Sequence, residues 1–74
     1  MTIEELREVH QARPFRSFTI HTADGKGFLI PHNDFLSYSP RGGRTVIVYD
    51  ENGSFKLLDV LLITQIEVHG APAT

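Results

Sequence analysis

The 74-residue chain has no cysteine and no tryptophan. The lack of cysteine excludes disulfide bonds, thiolate metal sites and a cysteine nucleophile, and it fits a reducing compartment. No stretch approaches the roughly 20 apolar residues needed to cross a bilayer. The first seven residues carry two acids and no apolar run, so we expect no signal peptide. We therefore predict a cytoplasmic protein that has no membrane contact.

The chain also has no excess of positive charge, because it contains seven Lys and Arg residues and nine Asp and Glu residues. This balance argues against a protein that binds nucleic-acid phosphates over its whole surface, although it allows a local basic patch. A chain of this length has room for one core and buries only roughly 60–65% of its unfolded surface. Stability is therefore thin, and self-association is a ready source of extra burial.

Two hairpin turns organise the chain: Ala23-Asp24-Gly25-Lys26 and Asp50-Glu51-Asn52-Gly53. Asp-Gly and Asn-Gly accept the positive φ angles of tight turns, so the flanking segments can pair as antiparallel strands. Residues 15–22 and 27–30 flank the first turn, and residues 45–49 and 54–58 flank the second. Residues 35–38 and 64–68 are further predicted strands, and Pro31 interrupts the first sheet.

Residues 3–12 are predicted to form a helix. Thr2 and Glu5 match a capping box, Ile3, Leu6 and Val9 share one face, and Pro14 ends the segment. A shorter helical turn is predicted over residues 59–63, with Asp59 as its cap. The predicted fold is mainly β: an N-terminal α-helix followed by a five-stranded, strongly bent antiparallel barrel of SH3-like or Sm-like type. We assign residues 1–70 to this single domain and residues 71–74 to a frayed tail.

This layout resembles the Sm-like fold, which includes the bacterial host-factor type of RNA chaperone. The resemblance covers roughly residues 3–69, and Asp24-Gly25 with Asn33-Asp34-Phe35 is similar to its first signature segment. The second signature segment corresponds to residues 55–58, where Lys56 is the one match to a Tyr-Lys-His triad. The resemblance implies a ring that binds RNA. The segment Arg13 to Phe18 is also similar to a group of short uncharacterised bacterial proteins.

Two segments are apolar on both faces, namely residues 46–49 and 57–63. Strands of this kind are usually covered on both sides, and a chain this short can find the second cover in another subunit. We therefore predict a homo-oligomer, with an interface formed by Val46, Val48, Leu58, Leu61 and Leu62. Two alternatives stay open: the helix covers the second face, or a different protein does.

Five cations form the predicted nucleic-acid contact: Arg13, Arg16, Arg41, Arg44 and Lys56. Guanidinium groups gathered near Phe15 and Tyr38 would suit phosphate contact and base stacking. The alternative is that these cations are scattered and paired with acids such as Asp50.

Catalytic, cofactor and metal sites are not indicated. The four histidines, at positions 10, 21, 32 and 69, lack the spacing of a metal site. A barrel this small offers little concave volume for a substrate. We predict a non-enzymatic interaction module, without cofactor or metal, that self-associates through apolar strands. The alternative is an RNA-binding Sm-like ring.

Overall fold

A computed structural model describes residues 1–70 of the chain. The predicted frayed tail, residues 71–74, lies outside the described residues. In chain order the elements are helix α1 (Ile3–His10), strand β1 (Phe18–Thr22), strand β2 (Gly27–Ile30), a 3-10 turn (Asn33–Phe35), strand β3 (Leu36–Tyr38), strand β4 (Thr45–Tyr49), strand β5 (Phe55–Asp59), a second 3-10 turn (Val60–Leu62) and strand β6 (Ile63–Val68).

Helix α1 begins with the predicted capping box. The Glu5 backbone N–H donates to the Thr2 hydroxyl oxygen at 3.2 Å, and the Thr2 backbone N–H donates to the Glu5 carboxylate at 2.9 Å. These bonds satisfy donors that the first turn otherwise leaves free. The helix ends at His10, two residues before the predicted end. Its buried residues, Ile3 and Leu6, join it to the strands.

The strands form two antiparallel sheets of three strands each, ordered β2-β1-β6 and β3-β4-β5. Ile20 of β1 lies opposite Phe28 of β2 and Ile66 of β6. The predicted turn glycines hold the two hairpins, with φ of 86° at Gly25 and 90° at Gly53. The chain crosses between the sheets at each 3-10 turn, once from β2 to β3 and once from β5 to β6.

The predicted mainly-β fold with an N-terminal helix is confirmed. The strand count is corrected from five to six, and the described residues form two sheets without a detected closed barrel. Pro31 marks the point where the chain leaves the first sheet, because it has no N–H to continue the ladder and the 3-10 turn follows at Asn33. The predicted strands on either side of it, residues 27–30 and 35–38, therefore lie in different sheets as β2 and β3.

A single core joins the helix and the inward faces of both sheets. Its buried members are Ile3, Leu6, Phe18, Ile20, Ile30, Leu36, Val46, Val48, Val60 and Ile63. Ten side chains make a small core, and the free energy that stabilises the fold depends on each of them.

We predict that Ile20→Ala lowers the free energy of unfolding by about 2–5 kcal/mol, because it empties a fully buried site at the centre of β1. Leu29→Ala is the matched control on the neighbouring strand, where the side chain is 57% exposed. It should change stability by no more than about 0.5 kcal/mol. Urea unfolding followed by circular dichroism measures both, and equal losses in the two variants would contradict this core.

Candidate interaction surface

The outer face of the β3-β4-β5 sheet is apolar. Side chains alternate along a strand, so the burial of Val46 and Val48 places Ile47 and Tyr49 on the opposite side of β4. The register sets Ile47 opposite Leu57 of β5 and Tyr49 opposite Phe55 of β5. These four side chains, Ile47, Tyr49, Phe55 and Leu57, therefore form one block, which we call the apolar outer face.

The apolar outer face is open to solvent in a single chain. Leu57 is 62% exposed, Phe55 is 59% exposed and Tyr49 is 37% exposed. The rings of Tyr49 and Phe55 lie 6.3 Å apart between centroids and are tilted by 48°. Single exposed apolar residues are common on protein surfaces, but a contiguous group of them typically marks an interaction site.

The outer face of the other sheet has the opposite character. By register, Thr19, His21, Gln65 and Glu67 share it with Leu29. His21 Nε2 lies 3.1 Å from a Glu67 carboxylate oxygen. The outer face of the β2-β1-β6 sheet is therefore polar apart from one leucine, whereas the outer face of the β3-β4-β5 sheet is a cluster of apolar side chains.

Helix α1 does not cover the apolar outer face. Beyond its core residues, the helix reaches β3 through His10, whose Nδ1 lies 2.8 Å from the Tyr38 hydroxyl. Tyr38 shares the inward face of β3 with buried Leu36, so this contact is made on the side of the sheet away from Leu57. The alternative in which the helix supplies the second cover is therefore wrong.

The five predicted interface residues divide between core and surface. Val46 and Val48 are 0% and 2% exposed within one chain, so a partner has no access to them. The prediction is corrected for these two, because the inward face of β4 packs on the core. Leu58 is half-buried, while Leu61 and Leu62 are exposed at 59% and 57%.

The predicted interface omitted three exposed residues of the apolar outer face: Tyr49, Phe55 and Leu57. The signal was present, because strict alternation from Val46 and Val48 puts Tyr49 outward and hairpin pairing then brings Phe55 beside it. Knowing which face of β4 is buried would have identified the group.

A groove of about 610 Å³ runs beside β5. Leu57, Leu58 and Leu62 line one part of it, and Phe28 with the first hairpin turn lines another. Lys26 and Asp24 of that turn form an ion pair at 3.7 Å, while Asp24 also accepts a hydrogen bond from Thr22. The groove therefore combines an apolar wall with charges that largely cancel.

Two of the five predicted nucleic-acid cations are held by acids. Arg44 pairs with Asp59 at 2.6 Å, and Lys56 pairs with Asp50 at 2.8 Å. Both pairs are solvent-exposed, so each contributes modest stability. Their positive charge is locally balanced, which weakens the attraction that either group offers to a phosphate.

The remaining three cations do not join these pairs. Arg16 donates to the backbone oxygens of His69 and Gly70 at 3.0 Å and 2.7 Å, near the end of β6. Arg13 and Arg41 are exposed in loops. Arg16, Arg44 and Lys56 thus have separate partners in separate elements, and no bond in residues 1–70 links the predicted set into one group.

His10 has a defined hydrogen-bonding role. Its Nε2 lies 2.6 Å from the backbone oxygen of Asn33, which can only accept, so Nε2 carries a proton. In the neutral ring Nδ1 then accepts from the Tyr38 hydroxyl. Burial raises the pKa of Tyr38, and the positive charge of Arg7, which lies over the Tyr38 ring, opposes this. Over residues 1–70 no three His, Asp or Glu side chains converge as metal ligands.

The carboxylates beside the second hairpin have lowered pKa values. The hydrogen bond from Arg44 lowers the pKa of Asp59 most, and the backbone N–H of Leu61 adds to it. Lys56 and then Ser54 lower the pKa of Asp50. A lowered pKa means that the ionised form is favoured by folding, so the associated stability is present at neutral pH and is lost as the carboxylate is protonated.

Comparison of the chain with protein-family models, with curated proteins and with solved structures finds no match. The structure itself defines the fold as a small mainly-β domain with an N-terminal helix. Among the helices of the described part of the chain, none combines the length and the apolar character that crossing a membrane requires.

We predict that Asp59→Asn lowers stability at pH 7 and flattens its dependence on pH. Asparagine can still accept from the Leu61 N–H but cannot pair ionically with Arg44. The difference in free energy of unfolding between wild type and Asp59→Asn should become smaller as the pH falls below about 4 and the carboxylates are protonated.

Urea unfolding at pH 7, 4 and 2.5 measures this effect. Asp34→Asn is the control, because Asp34 forms no ion pair within residues 1–70. A constant difference between wild type and Asp59→Asn at all three values would contradict the role of the ion pair.

Proposed function

We propose that this protein is a non-enzymatic interaction module that self-associates, and that the apolar outer face takes part in the contact between copies. One observation carries the proposal: the outer face of the β3-β4-β5 sheet clusters Ile47, Tyr49, Phe55 and Leu57, whereas the outer face of the other sheet is polar. A second copy offers the same surface, which is the requirement for a contact with two-fold symmetry.

The size of the surface supports a reversible contact rather than an obligate one. The four side chains expose roughly 300 Å² of mainly apolar area, while a standard interface buries about 800 Å² per partner. Leu61 and Leu62 directly follow β5 and add exposed apolar area. An association of this kind is weak and depends on protein concentration.

The polar groups near the surface have structural roles, which supports a binding function over a catalytic one. Asp59 caps the second 3-10 turn and pairs with Arg44. Asp50 accepts from Ser54 at 2.7 Å and from Lys56. These carboxylates already form hydrogen bonds within turns and ion pairs, so they are poorly placed to act as a general acid and base.

RNA binding by an Sm-like ring stays a prediction. What supports it is that the second 3-10 turn, Val60–Leu62, directly precedes the last strand, as in the Sm-like layout. Arg44 and Lys56 are paired with acids, so phosphate binding would require their release from Asp59 and Asp50. The self-association experiment below includes RNA for this reason.

We predict that Leu57→Asp reduces self-association at least about tenfold, because it places a charge in the apolar contact. Leu29→Asp is the matched control: Leu29 is 57% exposed against 62% for Leu57, and each lies outward on an edge strand. Light scattering over a range of protein concentrations gives the mass of each variant.

Wild type and Leu29→Asp should show the same concentration-dependent rise in mass, while Leu57→Asp stays near the monomer mass of 8.3 kDa. A wild type that is monomeric at high micromolar concentration would overturn the proposal. The same series with a short uridine-rich RNA tests the Sm-like alternative. The Sm-like alternative would be supported instead by a ring whose mass increases when RNA is added, if the Lys56→Ala variant does not show this increase.

A further inference from the structure

The four sheet edges differ in how well they are protected against pairing with another strand. Edges are commonly protected by shortness, proline, charge or coverage. β3 has only three residues, β2 is followed directly by Pro31, and β6 directs Gln65 and Glu67 outward. β5 is a five-residue edge without glycine or proline, and two of its three outward side chains are Phe55 and Leu57. Its charged residues, Lys56 and Asp59, are each paired with an opposite charge of the same chain.

The hydrogen-bond pattern shows which backbone groups of β5 are free. The Asp50 N–H donates to the Ser54 oxygen at 2.8 Å, and the Val60 N–H donates to the Arg44 oxygen at 2.6 Å. In an antiparallel ladder the bonded pairs recur every second residue, so Lys56 and Leu58 bond to β4. The N–H and C=O groups of Phe55, Leu57 and Asp59 therefore point away from β4, and no backbone partner for them occurs in residues 1–70.

A groove lies along this edge, between β5 and the first hairpin of the same chain. The groove of about 610 Å³ is lined by consecutive β5 residues from Lys56 to Asp59. These include the outward Leu57 and the inward Leu58, so the groove follows the edge of the strand rather than one face. A strand placed there would contact apolar side chains while it satisfied the free backbone groups.

We propose that two copies associate by antiparallel pairing of β5 with β5 of the second copy, with Leu57 on the two-fold axis. This inference rests on the proposed function. It sets Leu57 opposite Leu57 of the second copy, and Phe55 opposite Asp59. The three outward N–H groups of each strand then gain acceptors.

Charge and the length of β5 favour this register over its neighbours. An axis at Lys56 would set the two lysines directly opposite each other, which is destabilising. An axis at Leu58 would extend the pairing to Val60, where the 3-10 turn begins. The axis at Leu57 pairs all five residues of β5 and sets Lys56 beside Leu58. The β3-β4-β5 sheets of the two copies become one sheet of six strands, in which the two apolar outer faces lie side by side.

Amide hydrogen exchange on the wild-type protein tests the proposed pairing. At a concentration where nine-tenths of the chains are dimeric, the amides of Phe55, Leu57 and Asp59 should exchange about tenfold more slowly than in the dilute monomer. The amides of Lys56 and Leu58 are bonded to β4 in either state, so they serve as internal controls. Protection that alternates along β5 and increases with concentration is the expected result.

Single cysteines test the register, because the natural chain has no cysteine to interfere. Leu57→Cys places the two Cα atoms about 5.5 Å apart, within the range of a disulfide. Phe55→Cys places its two cysteines roughly 13 Å apart along the paired strands. Leu29→Cys is the control for an exposed edge residue outside the contact. On mild oxidation, Leu57→Cys should form covalent dimers at least tenfold faster than either of the others.

The outcomes separate the pairing from the self-association on which it rests. A dimer whose Phe55, Leu57 and Asp59 amides stay unprotected, or in which Phe55→Cys cross-links as fast as Leu57→Cys, would overturn edge pairing and leave self-association standing. A larger ring in which β6 amides also gain protection would likewise overturn it, in favour of β5 pairing with β6. A wild type that stays monomeric would remove both proposals.

Discussion

The central constraint on this protein is that β4 is apolar on both faces in a chain with only one core. β4 lies between β3 and β5, and its inward side chains, Val46 and Val48, are buried against the other sheet. Within residues 1–70 no element covers its outward side chains, Ile47 and Tyr49, because the helix packs on the inward side. The fold therefore buries half of this strand and leaves the other half in contact with solvent.

The outer face of the other sheet follows ordinary rules, which makes the apolar outer face informative. The outer face of the β2-β1-β6 sheet is polar, and the charges beside the second hairpin are paired as Arg44 with Asp59 and Lys56 with Asp50. A small domain gains little from exposing aromatic and aliphatic groups together, since that area contributes to stability only when it is covered. The proposed contact between copies removes part of this area from water.

Most of the architecture could be predicted from the sequence. The capping box at Thr2 and Glu5, the Asp-Gly and Asn-Gly turns and the cap at Asp59 are local signals, and each is formed as predicted. The division into two sheets at Pro31 was harder to predict, because whether a chain bends or breaks at a proline depends on tertiary packing. The face of β4 that is buried is also a tertiary property, and this is why Val46 and Val48 were assigned to an interface.

The candidate surface was only partly predictable for the same reason. The sequence indicates surplus apolar side chains in β4 and β5, but it does not show where they lie relative to the core. Cross-strand register supplies that information, because it brings Tyr49 to Phe55 and Ile47 to Leu57. The five cations show the converse case. They are grouped by type in the sequence, yet Arg16, Arg44 and Lys56 bond to separate elements.

Sedimentation equilibrium of the wild-type protein over a hundredfold range of concentration tests the central claim most directly. The account predicts a reversible equilibrium between the 8.3 kDa monomer and a dimer of twice that mass. A single monomeric species at every concentration would contradict it, because β5 and the apolar outer face would then make no contact with a second copy.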